Sequence, residues 1–322
     1  MKKFFALILA GAMLLSMAAC NKNDVVEDDS DVQKEDIIII QGAAGEETFG
    51  VSITSGNTIE ITSYSGSYDL HPVTIPDEID GRPVTAIGES AFYHANNITE
   101  IKMPATVTSI GDWAFAGCNY LTSVTGSDAV TTIGKGAFAQ CPALKTVQFS
   151  SVLTEIEAYA FKGCASLASA TFTAKLTAIG DAAFEGTGLT SVSIPESVKS
   201  IGLLSFNGCT ALSEIALPED LETIGTGAFA FCKSLPALTV PGSVVSVGEM
   251  AFTDCISLAT ITFENEDTEI KAHAFENADG TNLKDRFVLT GLAEDSKVVT
   301  YAKSLTDSPV TEEADTEAVD PA

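Results

Sequence analysis

The chain has 322 residues, 45% of them apolar, and its 44 acidic side chains against 17 basic ones give a formal net charge of -27. At that charge nucleic acid is repelled, and the basic residues form no cluster to offset it. His71, His94 and His273 fall in unrelated positions and no phosphate loop is present, so neither a His-centred triad nor a metal cluster can be assembled from neighbours.

Met1-Lys2-Lys3 is a short basic start, Phe4 to Leu15 is apolar, and Met17-Ala18-Ala19-Cys20 closes the segment, which reads as a secretory signal peptide over 1–19. A cysteine after two small residues resembles the bacterial lipoprotein cleavage site, and that resemblance implies lipidation of Cys20 and anchorage to a membrane. Asn21 to Asp36 carries seven acidic residues against two lysines. With so little apolar surface to bury, 20–36 is expected to be a disordered tether. Asp28, Asp29 and Asp31 lack the glycine and distal glutamate of a calcium loop.

Ile37 to Ile40, Phe49 to Ile53 and Thr58 to Tyr64 read as short strands separated by turns such as Gly56-Asn57. About 35 residues are too few for an independent core, so 37–69 is expected to cap the first coil of a larger stack.

From Leu70 the chain is periodic. Phe92, Phe115, Phe138, Phe161, Phe184, Phe206, Phe229, Phe252 and Phe275 recur every 23 residues, except for 22 between Phe184 and Phe206. A small residue precedes each, and the fifth residue before it is Ile or Val in all nine. In eight of the nine a leucine or isoleucine stands six residues later (five for Leu189), opening segments such as Leu212-Ser213-Glu214-Ile215-Ala216-Leu217. This period with Leu-x-x-Leu-x-Leu spacing marks a leucine-rich-repeat solenoid. The unit resembles the BspA-like leucine-rich repeats common in bacterial surface proteins. The expected fold is mainly β: about nine 23-residue coils over 70–278, stacked as a parallel strand ladder with short helical turns.

Within a coil, the residue four before each Phe is Gly in seven copies, as in Gly111, while Glu157 and Lys271 show that a positive φ is not obligatory there. Asp112 to Ala116 has the length of one helical turn, with Gly117 as its stop. Three residues after the Phe stand Cys118, Cys141, Cys164, Cys209, Cys232 and Cys255, with Ala95, Thr187 and Ala278 in the other copies. A slot shared by Cys, Ala and Thr is small and buried, so these thiols are expected to be free. Phe287 to Gly291 reads as a last strand and Ser296 to Lys303 as a capped helix, which makes 279–304 a closing cap. The acidic stretch 305–322 is expected to be disordered.

No titratable groups converge, so no enzyme, cofactor or metal is expected. What remains is surface. Outward positions of the Leu-x-x-Val-x-Ile segments are small and hydroxylic: Ser123, Thr125, Thr146, Gln148, Ser169, Thr171, Ser191 and Ser193. They suit an exposed parallel sheet first, and a broad polar binding face second. Two before the Phe, Trp113 and Tyr159 flank Gly136, and at two coil spacings a gap of about 9 to 10 Å is expected between them. The reading is a non-catalytic surface lipoprotein that binds an extracellular protein or mediates adhesion. A glycan-binding lipoprotein of a nutrient-capture system is the alternative.

Overall fold

The computed structural model describes residues 36–38, 47–147, 149–277, 287–288 and 292–305. All of these fall in one packed unit, 35–322. The signal peptide, Cys20, most of the tether, Gln148 and the acidic tail from 306 lie outside the described residues.

The chain winds as a mainly β solenoid, and each coil carries two strand positions. The first ends at the Ile or Val five before the Phe, as in Ser109–Ile110, Thr132–Ile133 and Glu155–Ile156. These dipeptides pair in parallel, in register, from Arg82–Ile87 through to Glu269–Ile270, so one sheet runs the length of the stack. The second is the Leu-x-x-Val-x-Ile segment, where the expected single ladder is broken into three. His71–Thr74, Ile98–Lys102, Ser123–Thr125 and Thr146–Val147 form one piece, Ser191–Ser193 and Glu214–Ala216 another, and Ala237–Val240, Thr260–Phe263 and Phe287–Val288 the third.

The nine phenylalanines are buried between the strand positions and stack face to face, with successive ring centroids 4.8 to 5.4 Å apart. Ring separation thus matches the roughly 4.8 Å rise of a paired strand, and each ring contributes about 2 kcal/mol of burial.

The turn around each Phe differs from the expected helical one. Backbone donors alternate in destination. The N–H groups of Trp113, Phe115 and Gly117 donate to the carbonyls of Lys135, Ala137 and Ala139 in the next coil, at 2.7 to 2.8 Å. Those of Ala114, Ala116 and Cys118 donate three residues back within their own coil. An α-helix would direct every donor along its own axis and leave this turn joined to its neighbours by side chains alone. The alternating arrangement requires left-handed backbone two residues before each Phe, where φ lies between 51° and 62° in all nine coils. Non-glycine residues fill seven of those positions, at a cost of about 1 kcal/mol each that the coil-to-coil hydrogen bonds offset.

The glycine four before the Phe serves close approach. A Cβ on Gly111 would stand 2.8 Å from the backbone of Gly88 and Glu89 in the preceding coil. None of the seven such glycines has a positive φ, which agrees with Glu157 and Lys271 being tolerated.

Both ends of the stack are covered. Ile59–Ser65 pairs in parallel with Arg82–Ile87, and Thr48–Ile53 pairs antiparallel with Ile59–Ser65. Tyr64 continues the aromatic column, its ring stacked 5.0 Å from Phe92. At the far end Phe287 lies edge-on to Phe275, at 5.2 Å. Helix Lys297–Ser304, N-capped by Ser296, buries Val298, Val299 and Ala302.

Candidate functional site

The proposed face is built by the second strand position, where alternate side chains leave the core. Thr125, Thr146, Ser169, Thr171, Ser191 and Ser193 are exposed and Ser123 is half-buried. Ser123 lies between Glu100 and Thr146, and Ser191 is paired with Glu214 and bridged to Ser169. The structure therefore brings Ser123, Thr125 and Thr146 together on one ladder piece, and Ser191 with Ser193 on the next.

Between those pieces the coil of Ser169 to Phe172 forms no strand. Its core slot holds Ala170 where adjacent coils have Val147 and Val192. Phe149 and Phe172 make up the volume, packed edge-on to Phe161 at 5.5 Å and Phe184 at 5.4 Å. Two shallow grooves open there. One of about 490 Å³ is lined by Ser169, Thr171, Phe172, Ser191 and Ser193, and one of about 380 Å³ by Thr146, Phe149, Ser169 and Thr171.

The expected gap between Trp113 and Tyr159 is closed. Their rings stack at 6.5 Å and 17°, because the indole lies flat over Gly136, where a Cβ would meet it at 2.3 Å. Lys135 and Lys162 place their ammonium groups 5.8 and 5.6 Å from the Tyr159 ring. The facing sides of the two rings are thus turned to one another, and cations lie over the Tyr159 ring.

The six described cysteines are free and buried. Each thiol donates to the carbonyl of the Phe in the preceding coil, as Cys118 does to Phe92 at 3.1 Å and Cys255 to Phe229 at 3.2 Å. In the shortened coil Thr187 takes the slot, donating to Phe184 at 2.9 Å and lying 3.2 Å from the Cys209 sulfur. Burial pushes the Cys209 thiol up to about 11 and the Cys255 thiol up to about 12. Contact with Cys141 and burial raise the Cys118 thiol, and burial raises those of Cys164 and Cys232. Protonated thiols without solvent access are poor nucleophiles and poor metal ligands.

One cluster was not legible in the sequence. His71 Nδ1 lies 2.7 Å from the Asp69 carbonyl, which can only accept, so this nitrogen carries a proton. Its Nε2 lies 3.1 Å from the Glu47 carboxylate and 3.0 Å from the Tyr64 hydroxyl. Glu47 and His71 are buried, and the contact ties three cap segments together. Among the described residues no group of three His, Cys, Asp or Glu side chains gathers as a metal site.

A family model described as BspA type leucine-rich repeat region matches residues 85–210 and 177–290, in six copies. The chain belongs to this family. A leucine-rich-repeat protein of T. pallidum is 33% identical, over 58% of this chain and 88% of its own, with a TM-score of 0.55. A leucine-rich cell surface protein of Faecalibacterium prausnitzii is 28% identical, over 71% of this chain and 55% of that one, with a TM-score of 0.52. A leucine-rich-repeat protein of Bacteroides ovatus is 25% identical, over 82% and 70%, at 0.58. No curated protein matches the chain.

Within this BspA-type chain a second regularity escaped the sequence reading. At four of the left-handed positions a bulky residue covers a glycine in the next coil: Trp113 covers Gly136, Leu204 covers Gly227, His94 covers Gly117 and Gln140 covers Gly163, whereas Gly186 and Gly208 each follow a glycine. The signal lies in reading each slot down the stack, coil after coil.

Proposed function

We propose that this BspA-type protein is a non-catalytic, surface-displayed interaction protein that binds an extracellular protein through the face carrying Ser123, Thr125, Thr146, Gln148, Ser169, Thr171, Ser191 and Ser193. The observation that carries this reading is the pair of grooves at Ser169 to Phe172, where hydroxyl side chains and two partly buried phenyl rings meet on a framework braced coil to coil. Aromatic contact area beside adaptable hydroxyls is the combination protein interfaces favour. Repeat solenoids use such extended faces for recognition. Display outside the cell rests on the amino-terminal segment ending at Cys20 and on the cell surface relative of Faecalibacterium prausnitzii.

The test is capture of extracellular proteins from a defined panel, then affinity measurement. A bound protein should lose about tenfold or more in affinity to Thr171→Arg or Ser193→Arg and nothing to Trp113→Ala. Binding indifferent to both arginine variants would reject the face. Fatty-acid labelling of the expressed protein, abolished in Cys20→Ser, tests the anchor. Glycan capture is a second reading, favoured by the tyrosines and asparagines grouped near Tyr93 and Asn97.

A further inference from the structure

At the N-terminal end of the stack, the loop after Tyr64 and the turn after Phe92 border an open, shallow cavity of about 410 Å³. Its lining is unlike that of the strand face. Tyr93 is 54% exposed, Tyr68 is fully exposed, and Asn96, Asn97, His94 and Ser67 supply amide, imidazole and hydroxyl groups. Exposed aromatic rings beside side chains that both donate and accept are the two elements small-ligand sites combine, and the volume lies in their usual range of roughly 300 to 1,000 Å³.

Apart from the fully exposed Tyr68 side chain, the walls are held in place. Asn97 donates to the Ser67 carbonyl at 2.7 Å, which pins the loop to the first coil. Asn96 accepts from the backbone N–H of Asn119 at 3.0 Å, and the His94 ring packs edge-on to Tyr93 at 4.3 Å while covering Gly117. Beneath the loop, the buried contact of His71 with Tyr64 and Glu47 fixes the floor. A site ordered before its ligand arrives loses little conformational entropy on binding.

We propose that this cavity binds a neutral saccharide, with the Tyr93 and Tyr68 rings against the apolar faces of the sugar and Asn96 and Asn97 on its hydroxyls. A pyranose presents that division, C–H groups on its faces and hydroxyls around its rim. No lysine or arginine lines the cavity, so an acidic sugar would find no permanent cation there for its carboxylate or sulfate. The site deepens the glycan reading and is independent of the strand face.

The test is titration calorimetry of the purified chain with di- to tetrasaccharides of glucose, mannose, galactose and N-acetylglucosamine, beside a uronic-acid oligomer. The expected result is binding of at least one neutral member at millimolar affinity or better, weakened about tenfold by Tyr93→Ala and by Tyr68→Ala. Thr171→Arg should leave it unchanged. Both tyrosines are exposed, so neither variant removes core packing, and unchanged thermal unfolding checks this. If no member of the panel binds, the glycan reading falls together with the site. Binding that survives both tyrosine variants, or that prefers the uronic acid, would overturn the site alone.

Discussion

The backbone N–H of Phe275 donates to the hydroxyl of Tyr301 at 3.3 Å, in the place that a following coil's carbonyl would occupy. One coil earlier, Phe252 donates to the Ala274 carbonyl at 2.7 Å, and the same bond recurs back to Phe92. Tyr301 ends this series of phenylalanine donors by supplying the acceptor that Phe275 would otherwise take from a following coil, while its ring closes the aromatic column 6.3 Å from Phe275.

Tyr301→Phe keeps the ring and removes the acceptor. With its partner N–H left inside the cap, the variant is expected to lose about 1 to 2 kcal/mol in urea unfolding, with an unchanged slope. Burial pushes the Tyr301 hydroxyl up to about 12, so the acceptor stays an uncharged hydroxyl through neutral and moderately alkaline pH. An unchanged urea midpoint would show that water replaces the hydroxyl.

Gly136 separates the rings of Trp113 and Tyr159. Gly136→Ala adds a Cβ where the indole lies, at a φ of 61°, and is expected to cost about 1 to 3 kcal/mol. In the double variant with Trp113→Ala, the steric part of that cost should disappear while the backbone part remains. Additive losses would show that the two residues do not touch. Trp113 is the single tryptophan of the chain, so its emission reports the same displacement directly.

The thiol column sets an alkaline limit. Folding raises the Cys209 thiol from 9.0 to about 11 and the Cys255 thiol from 9.0 to about 12. A raised value means that the folded state holds its proton more tightly. The stabilisation is complete below the unfolded value and is lost as pH rises through the folded one. Between pH 9 and 11 each such thiol should therefore lower stability by about 1.4 kcal/mol per pH unit. Denaturation midpoints under reducing conditions should fall over that window, and less steeply in Cys209→Ala. A flat profile would mean that the thiols reach solvent.

The sequence carried the period, the inward phenylalanines and the small slot shared by cysteine, alanine and threonine, because each is an identity repeated at a fixed interval. It misled on the turn. Trp113, Tyr159 and Leu204 are residues that avoid left-handed backbone, and only coil-to-coil hydrogen bonding explains their presence there. For the same reason the indole lay down over Gly136 in the space expected to stay open. One of the two breaks in the second ladder falls at the coil of Ala170 and Phe172, two residues apart and ordinary when read singly. The polar face residues were legible as exposed positions. The Glu47, His71 and Tyr64 contact joins segments whose spacing carries no period.

Everything the chain displays depends on coils joined backbone to backbone through their turns, and native-state hydrogen exchange measures this most directly. The amides of Trp113, Phe115, Gly136, Phe138 and Phe161 should exchange with a free energy within about 1 kcal/mol of global unfolding. Exchange of these amides at the rate of an open surface turn, independent of global stability, would contradict the coil-to-coil bonding.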